Sequence, residues 1–316
     1  MSNYVGIQGQ IWKNNLRSIL LLIAFPVLLL ALVWVFLYFT TPPEVDRVEQ
    51  ANESFFNVVP WVIAITGVWF LISWFMHTSM INRMTGAKPI SRQDNKRVYN
   101  LMENLCIQEG MQMPKLQVIE DDSLNAFASG INQKTYAVTV TRGLLNKLDD
   151  RELEGVLAHE LAHIKNRDVR MMIIALIFVG IFALVGQIAF RSILFNAMSR
   201  RGGGGGRGGA QAMILVLVLA MLAYFFSLIF RFAISRKREY MADAEASRMT
   251  RNPQGLASAL RKISGNPHVK TVKSDDVAEM FIENKPDKSS GITSFISGLF
   301  ATHPPVEKRI EVLEQY

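Results

Sequence analysis

His159 and His163, four positions apart and with Glu160 between them, are the residues in this chain best suited to chemistry. On an α-helix that spacing puts both imidazoles on one face, about one turn from each other. Two imidazoles so placed can hold one Zn2+ at about 2.0–2.1 Å each. Glu160 is then placed to take a proton from an attacking water, the arrangement that metal-dependent peptide hydrolysis requires. The surrounding run LLNKLDDRELEGVLAHELAHIKNRD has helical periodicity. Asp149 and Glu152 fit an N-cap and its capping-box partner at the start of the main helix.

Catalytic zinc usually takes three protein ligands and keeps one position open. The chain has 5 histidines, the others being His77, His268 and His303. No further histidine follows the pair at the spacing of the longer zinc motif, because Asn166 and Val169 occupy those places. A carboxylate is therefore the better third ligand, and Glu239 is the leading candidate. Asp243, four residues on, shares its helix face. One of the two could bind the metal while the other accepts a proton from a ligand histidine. The competing reading is a solvated acidic face on a helix that also bears Arg236, Lys237 and Arg238.

Four apolar blocks must position these groups. Residues 18–40 and 58–76 form a first pair and 171–190 and 212–230 a second, and each is long enough to cross a bilayer core of about 30 Å as a helix. The segment 41–57 between the first two carries Glu44, Asp46, Glu49 and Glu53 against Arg47. Its far flanks are basic, with Lys13, Arg17, Arg83 and Lys88. The positive-inside rule then puts residues 1–17 and 77–170 in the cytoplasm, with 41–57 outside. Residues 77–170 hold the H-E-x-x-H helix and 231–316 the candidate third ligand. The second pair of blocks returns the chain to the side it left, so Glu239 can meet both histidines. The loop 191–211 runs against this topology: Arg191, Arg200, Arg201 and Arg207 are a poor composition for a translocated segment, and its glycine run reads as a flexible linker.

In the polar parts, the periodicity predicts a helix over QDNKRVYNLMENLCIQEGM with a stop at Gly110, and strands at KLQVIE and KTYAVTVT. DDSLNAFASG reads as a polar turn around an apolar pair. Helices are predicted over ISRKREYMADAEASRMT, over PQGLASALRKISG with Gly265 as C-cap, and at the C-terminus after the turn at HPP. Half the residues are hydrophobic (50%), and the net charge of +7 flanks the apolar blocks, where it reads as lipid anchoring. No nucleic-acid motif accompanies it. The single cysteine, Cys106, excludes an intrachain disulfide and reads as a buried apolar residue of its helix.

Four stretches in series carry a family likeness: NAFASG at 125–130, LEGVLAHELAHIKNRD at 153–168, SRKREYMADAEA at 235–246 and LFATHPPVEKRI at 299–310. The chain resembles the HtpX family of membrane zinc peptidases, related to the Ste24-type CAAX prenyl proteases. The resemblance implies an α/β (α+β) zincin-like metalloprotease domain combined with about four transmembrane helices. It implies one Zn2+ held by His159, His163 and Glu239, with Glu160 as general base, and a cleft flanked by Asn125, Ala126, Phe127 and Ala128 where a substrate strand is held. It further implies a place in the bacterial cytoplasmic membrane, with misfolded or unfolded membrane polypeptides as substrates and a role in stress-linked quality control.

Beside that likeness, a developing oxyanion needs a donor besides the metal, and Tyr240, His303 and Arg309 are the polar candidates. His303 is otherwise a turn residue before two prolines, and Arg309 otherwise a surface ion pair. Asn125 either holds substrate backbone or shapes a turn. Asp168 either bonds near the ligands or caps the boundary with the next span, the second being slightly preferred. The alternatives are a narrow-specificity processing protease on the same scaffold and a non-enzymatic membrane scaffold. The residues leave the oligomeric state open.

Overall fold

A computed structural model describes residues 7–42, 44–178, 236–269, 280–282 and 304–315. The fourth predicted span, the glycine-rich loop, the end of the third span and His303 lie outside the described residues. The chain divides into two compact units: residues 17–75 with 174–230, and residues 1–16, 76–173 and 231–316.

The first unit is built on α1 (Ile7–Thr40) and α2 (Arg47–Thr85). Within them Asn15–Phe39 and Arg47–Thr85 are long and apolar enough to cross a membrane. Large apolar side chains such as Ile23, Val27, Trp61, Val68 and Phe75 point outward and are exposed, as a lipid-facing surface requires. α2 starts well before the apolar block at 58–76 and takes in most of the segment read as a loop. Its start follows from local chemistry: the Asp46 carboxylate accepts from the Val48 and Glu49 amides, and Glu49 adds an acid in the first turn. Phe178 stacks on Phe25 with ring centroids 4.0 Å apart.

The second unit carries a four-stranded sheet of order β1-β2-β4-β3, from β1 (Lys88–Pro89), β2 (Lys115–Ile119), β3 (Ala126–Ser129) and β4 (Ala137–Thr141). β2 and β4 run parallel, and β3 lies antiparallel to β4 as the outermost strand among the described residues. The helices are α3 (Lys96–Glu109), α4 (Arg142–Lys147), α5 (Asp150–Lys165), α6 (residues 168–178), α7 (Arg236–Thr250), α8 (Pro253–Ile263) and α9 (Val306–Leu313). α3 ends where Gly110 adopts φ 62°, the left-handed cap expected of that glycine. α8 is capped by Ser264, one residue before the expected Gly265.

Two departures from the sequence reading matter for the site. NAFASG is a strand, because all four residues of β3 are buried and show no alternation for a pattern search to find. The long helical run breaks at Leu148, which is extended (φ −84°, ψ 142°). Asp149 then caps a new helix with its full capping box: its carboxylate accepts from the Glu152 amide at 3.0 Å, and its own amide donates to the Glu152 carboxylate at 2.9 Å. α5 packs against β3, α3, α7 and α8. Gly155 permits the approach of α8, since a Cβ there would meet the Leu256 backbone nitrogen at 2.8 Å. The buried Glu152 carboxylate binds Ser258 Oγ and Lys262 Nζ of α8, each at 2.6 Å, which fixes the first turn of α5. Cys106 is buried in α3, and that burial pushes its thiol up to about 11, as an inert apolar residue requires.

Candidate metal centre

The helical spacing of His159 and His163 has the effect expected: their Nε2 atoms lie 3.1 Å apart at the end of α5. α7 brings Glu239 to the same point. Its Oε2 is 3.6 Å from His159 Nε2, and its Oε1 is 3.5 Å from His163 Nε2. One ligand atom from each of the three residues falls within 4.8 Å of the others.

The opposite edge of each imidazole faces a carboxylate. His159 Nδ1 lies 2.9 Å from Asp243 Oδ1, and His163 Nδ1 lies 3.2 Å from Asp168 Oδ2. Those contacts orient both rings so that the Nε2 lone pairs converge, the usual support for metal-ligating histidines. Two nitrogens and one carboxylate oxygen converging on one point form a donor set suited to a divalent ion of the zinc type. Asp168 thus sits on a ligand histidine as well as at the start of α6, a correction to the preference for a purely capping role.

Arg309 of α9 closes the far side of Asp243 and is fully buried. Its Nε donates to Asp243 Oδ2 at 2.9 Å and its Nη2 to Oδ1 at 2.7 Å, a bidentate pair. Nη1 stands 3.5 Å from Glu239 Oε2, and Nη2 stands 3.4 Å from His159 Nε2. The surface ion-pair reading of Arg309 is overturned, because the guanidinium has no solvent face. Arg238, named only as a basic residue on the Glu239 helix, is buried too, with Nη1 3.7 Å from Asp168 Oδ1. Sequence reasoning missed it because its neighbours Arg236 and Lys237 are exposed.

The charges inside this cluster act on one another. Burial works against the imidazolium of His159, yet its hydrogen bonds to the Asp243 and Glu239 carboxylates outweigh it and push the group up to about 9. Burial likewise opposes ionisation of Asp243, but the Arg309 charge and the His159 contact hold its carboxyl below the ordinary range. Glu160 goes the other way: burial pushes its carboxyl up, although His159 and His163 pull it down. A carboxyl raised by burial beside a metal site has the character of a general base.

Of the remaining candidates, Tyr240 is half-buried beside Glu239, one position round the helix from the ligand face. Ala126, Phe127 and Ala128 form the edge strand β3, which packs on α5. Asn125 just precedes that strand. Its Nδ2 donates to the Pro267 carbonyl at 2.7 Å, and its Oδ1 accepts from the Ala126 amide at 3.0 Å, so its side chain shapes the entry to β3.

The profile of peptidase family M48 matches residues 92–316, a stretch that includes all of these groups from Asn125 to Arg309. The chain belongs to peptidase family M48. A Protease HtpX homolog of Bacteroides fragilis is 50% identical over 320 residues, covering 99% of each chain. The Protease HtpX homolog of Listeria innocua is 42% identical over 272 residues, covering 83% of this chain and 87% of the relative. The crystal structure of S. mikatae Ste24p aligns at 19% identity with a TM-score of 0.47, covering 96% of this chain and 66% of that one. This M48 peptidase is a membrane-bound metalloprotease, and two of its described helices are long and apolar enough to span a membrane.

Proposed function

We propose that this M48 peptidase is a zinc endopeptidase of the bacterial cytoplasmic membrane that hydrolyses misfolded or damaged membrane polypeptides on the cytoplasmic side, as part of a stress response. The observation that carries the reading is the convergence of His159, His163 and Glu239 on one point, with Glu160 buried among their charges. The same observation supports zinc as the ion, since among the described residues the donor set is two imidazole nitrogens and one carboxylate. The orientation rests on the basic flanks of the apolar blocks and on the acids between the first two.

A bound zinc ion supplies Lewis acidity, polarising the scissile carbonyl and acidifying water. The protein's own residues do the rest. Glu160 takes the proton of the attacking water and delivers it to the leaving amine. Asp243 and Asp168 hold the ligand imidazoles in the tautomer that presents Nε2. Arg309 keeps Asp243 ionised and fixed, and its guanidinium offers positive charge close to the ligands. The edge strand β3 holds the substrate backbone in an extended form, which selects unfolded polypeptide over any one side chain. The boundaries at 18–40, 58–76, 171–190 and 212–230 are proposed as the spans that place this site at the membrane surface.

The test is cleavage of an unfolded or membrane-protein substrate by detergent-purified full-length protein, wild type against Glu160→Gln, with metal measured on both. Wild type is expected to cleave and to be stopped by chelator. Glu160→Gln is expected to keep stoichiometric zinc and lose about 100-fold or more in rate. A wild type that binds no metal, or a Glu160→Gln that cleaves as well as wild type, would overturn the reading.

A further inference from the structure

The edge of β3 is already occupied by the protein itself. Thr141 donates its amide to the Asn125 carbonyl, so residues 125, 127 and 129 face β4, and the backbone groups of Ala126 and Ala128 face outward. At Ala126 both outward groups are taken. Its amide donates to Asn125 Oδ1 at 3.0 Å, and its carbonyl accepts from the Ile282 amide at 2.9 Å. The Ile282 carbonyl in turn accepts from Arg309 Nη1 at 3.1 Å. The preceding side chain, Phe281, packs edge-on against Phe127 with ring centroids 4.8 Å apart. Met280, Phe281 and Ile282 are 6%, 3% and 2% exposed.

Ile282 thus has its amide on the edge strand, its carbonyl on the arginine that braces the ligand cluster, and its neighbour's ring on the strand. That is how one residue of an extended substrate would be held, by main chain on an exposed strand edge. Among the described residues the contact lies at the Asn125 end of the strand, where Ile282 meets Ala126. We infer that Phe281–Ile282 is an internal occupant of the peptide-binding edge, and that substrate must displace it before pairing with β3. This rests on the reading of β3 as the substrate edge. The contact would make cleavage depend on a polypeptide long and unfolded enough to compete along the whole strand, which guards folded or short bystanders.

The test uses the full-length, zinc-loaded protein in detergent and an unstructured peptide substrate, comparing wild type with Ile282→Pro, which removes the donating amide, and Phe281→Ala, which removes the ring. Each is expected to raise kcat/KM about three- to tenfold, mostly through KM, the size of effect one weak competing bond allows. Unchanged kcat/KM, or a raised KM, would show that the segment is a fixed wall of the cleft and would overturn the inference. A second measurement needs no variant in the segment. In Glu160→Gln with saturating peptide, amide exchange at Ile282 is expected to speed up, and unchanged or slower exchange counts against displacement. Cleavage by wild type without gain in the variants removes only the occupant. A wild type without cleavage removes the reading of the site itself.

Discussion

α5 and α7 are joined by two clusters of charge that have opposite character. At one, His159, His163, Glu239, Asp243 and Arg309 meet almost without solvent, with Arg309 fully buried and Asp243 2% exposed. At the other, just beyond His163, Lys165 Nζ binds Glu109 Oε2 at 2.7 Å and Glu245 Oε1 at 2.8 Å, while Arg248 binds the same two carboxylates from a half-exposed position. In the second cluster two cations share two carboxylates, and the charges balance. In the first, two imidazoles and one arginine face Glu239, Asp243 and Asp168, and one ligand atom each from His159, His163 and Glu239 converges on one point. A cluster that only fastens helices can saturate itself, whereas one that holds an ion must keep donors converging. That difference separates the candidate metal centre from ordinary structural ion pairs.

The sharpest way to break the comparison is at the ligands. Glu239→Ala is expected to abolish stoichiometric metal and reduce cleavage to background, read by metal analysis and by the substrate assay. Arg309→Met comes next, because it leaves Asp243 buried without its cation. A loss of about 3–5 kcal/mol in stability is expected in denaturant melts, together with weaker metal retention. Asp243→Asn keeps the shape but changes the partner of His159 Nδ1, and should weaken metal affinity about 10- to 100-fold in a chelator competition.

The second cluster should respond mildly. Lys165→Met is expected to cost about 1 kcal/mol in melts and to leave metal affinity within about twofold. A large loss of metal would show that the two clusters are coupled and would erase the distinction. Acid gives the smallest and most specific signature. Burial opposes ionisation of Glu109 and Glu245, but their bonds to Lys165 and Arg248 prevail and hold both carboxyls below the ordinary range. Their stabilisation is therefore full above the unfolded value of about 4.3 and is lost as pH falls through the lower folded values. The Lys165→Met penalty should accordingly hold above about pH 5 and shrink as pH falls below about 4.3, measured as the difference between wild-type and variant melts.

Much of this site can be read in the residues themselves. His159, Glu160 and His163 declare their geometry because a helix fixes what lies four positions away, and the capping box of Asp149 and Glu152 marks where that helix begins. Asp243 follows from Glu239 by the same rule, and the apolar blocks announce α1 and α2 by length. The strand β3 was hidden because all four of its residues are buried, which leaves no alternation of apolar and polar positions to read. Arg238 was hidden because a charged residue in a polar stretch looks solvated until its neighbours are known, and Arg309 was legible as a polar candidate while its burial against Asp243 was not. The Phe281–Ile282 contact left no local signal, since it joins two segments far apart in sequence through main-chain atoms.

The sequence by itself determined the chemistry: a helical pair of imidazoles with a carboxylate between them, a second acidic helix, and apolar segments that need lipid. Those follow from rules acting within one or two helical turns. Only the tertiary structure decided that α7 meets α5, that Asp243 and Asp168 each face one imidazole, that Arg309 is drawn into the interior to balance Asp243, and that Ile282 lies on the edge strand. Such pairings depend on which surfaces pack together, and an uncompensated buried charge or unpaired strand edge costs enough to select them.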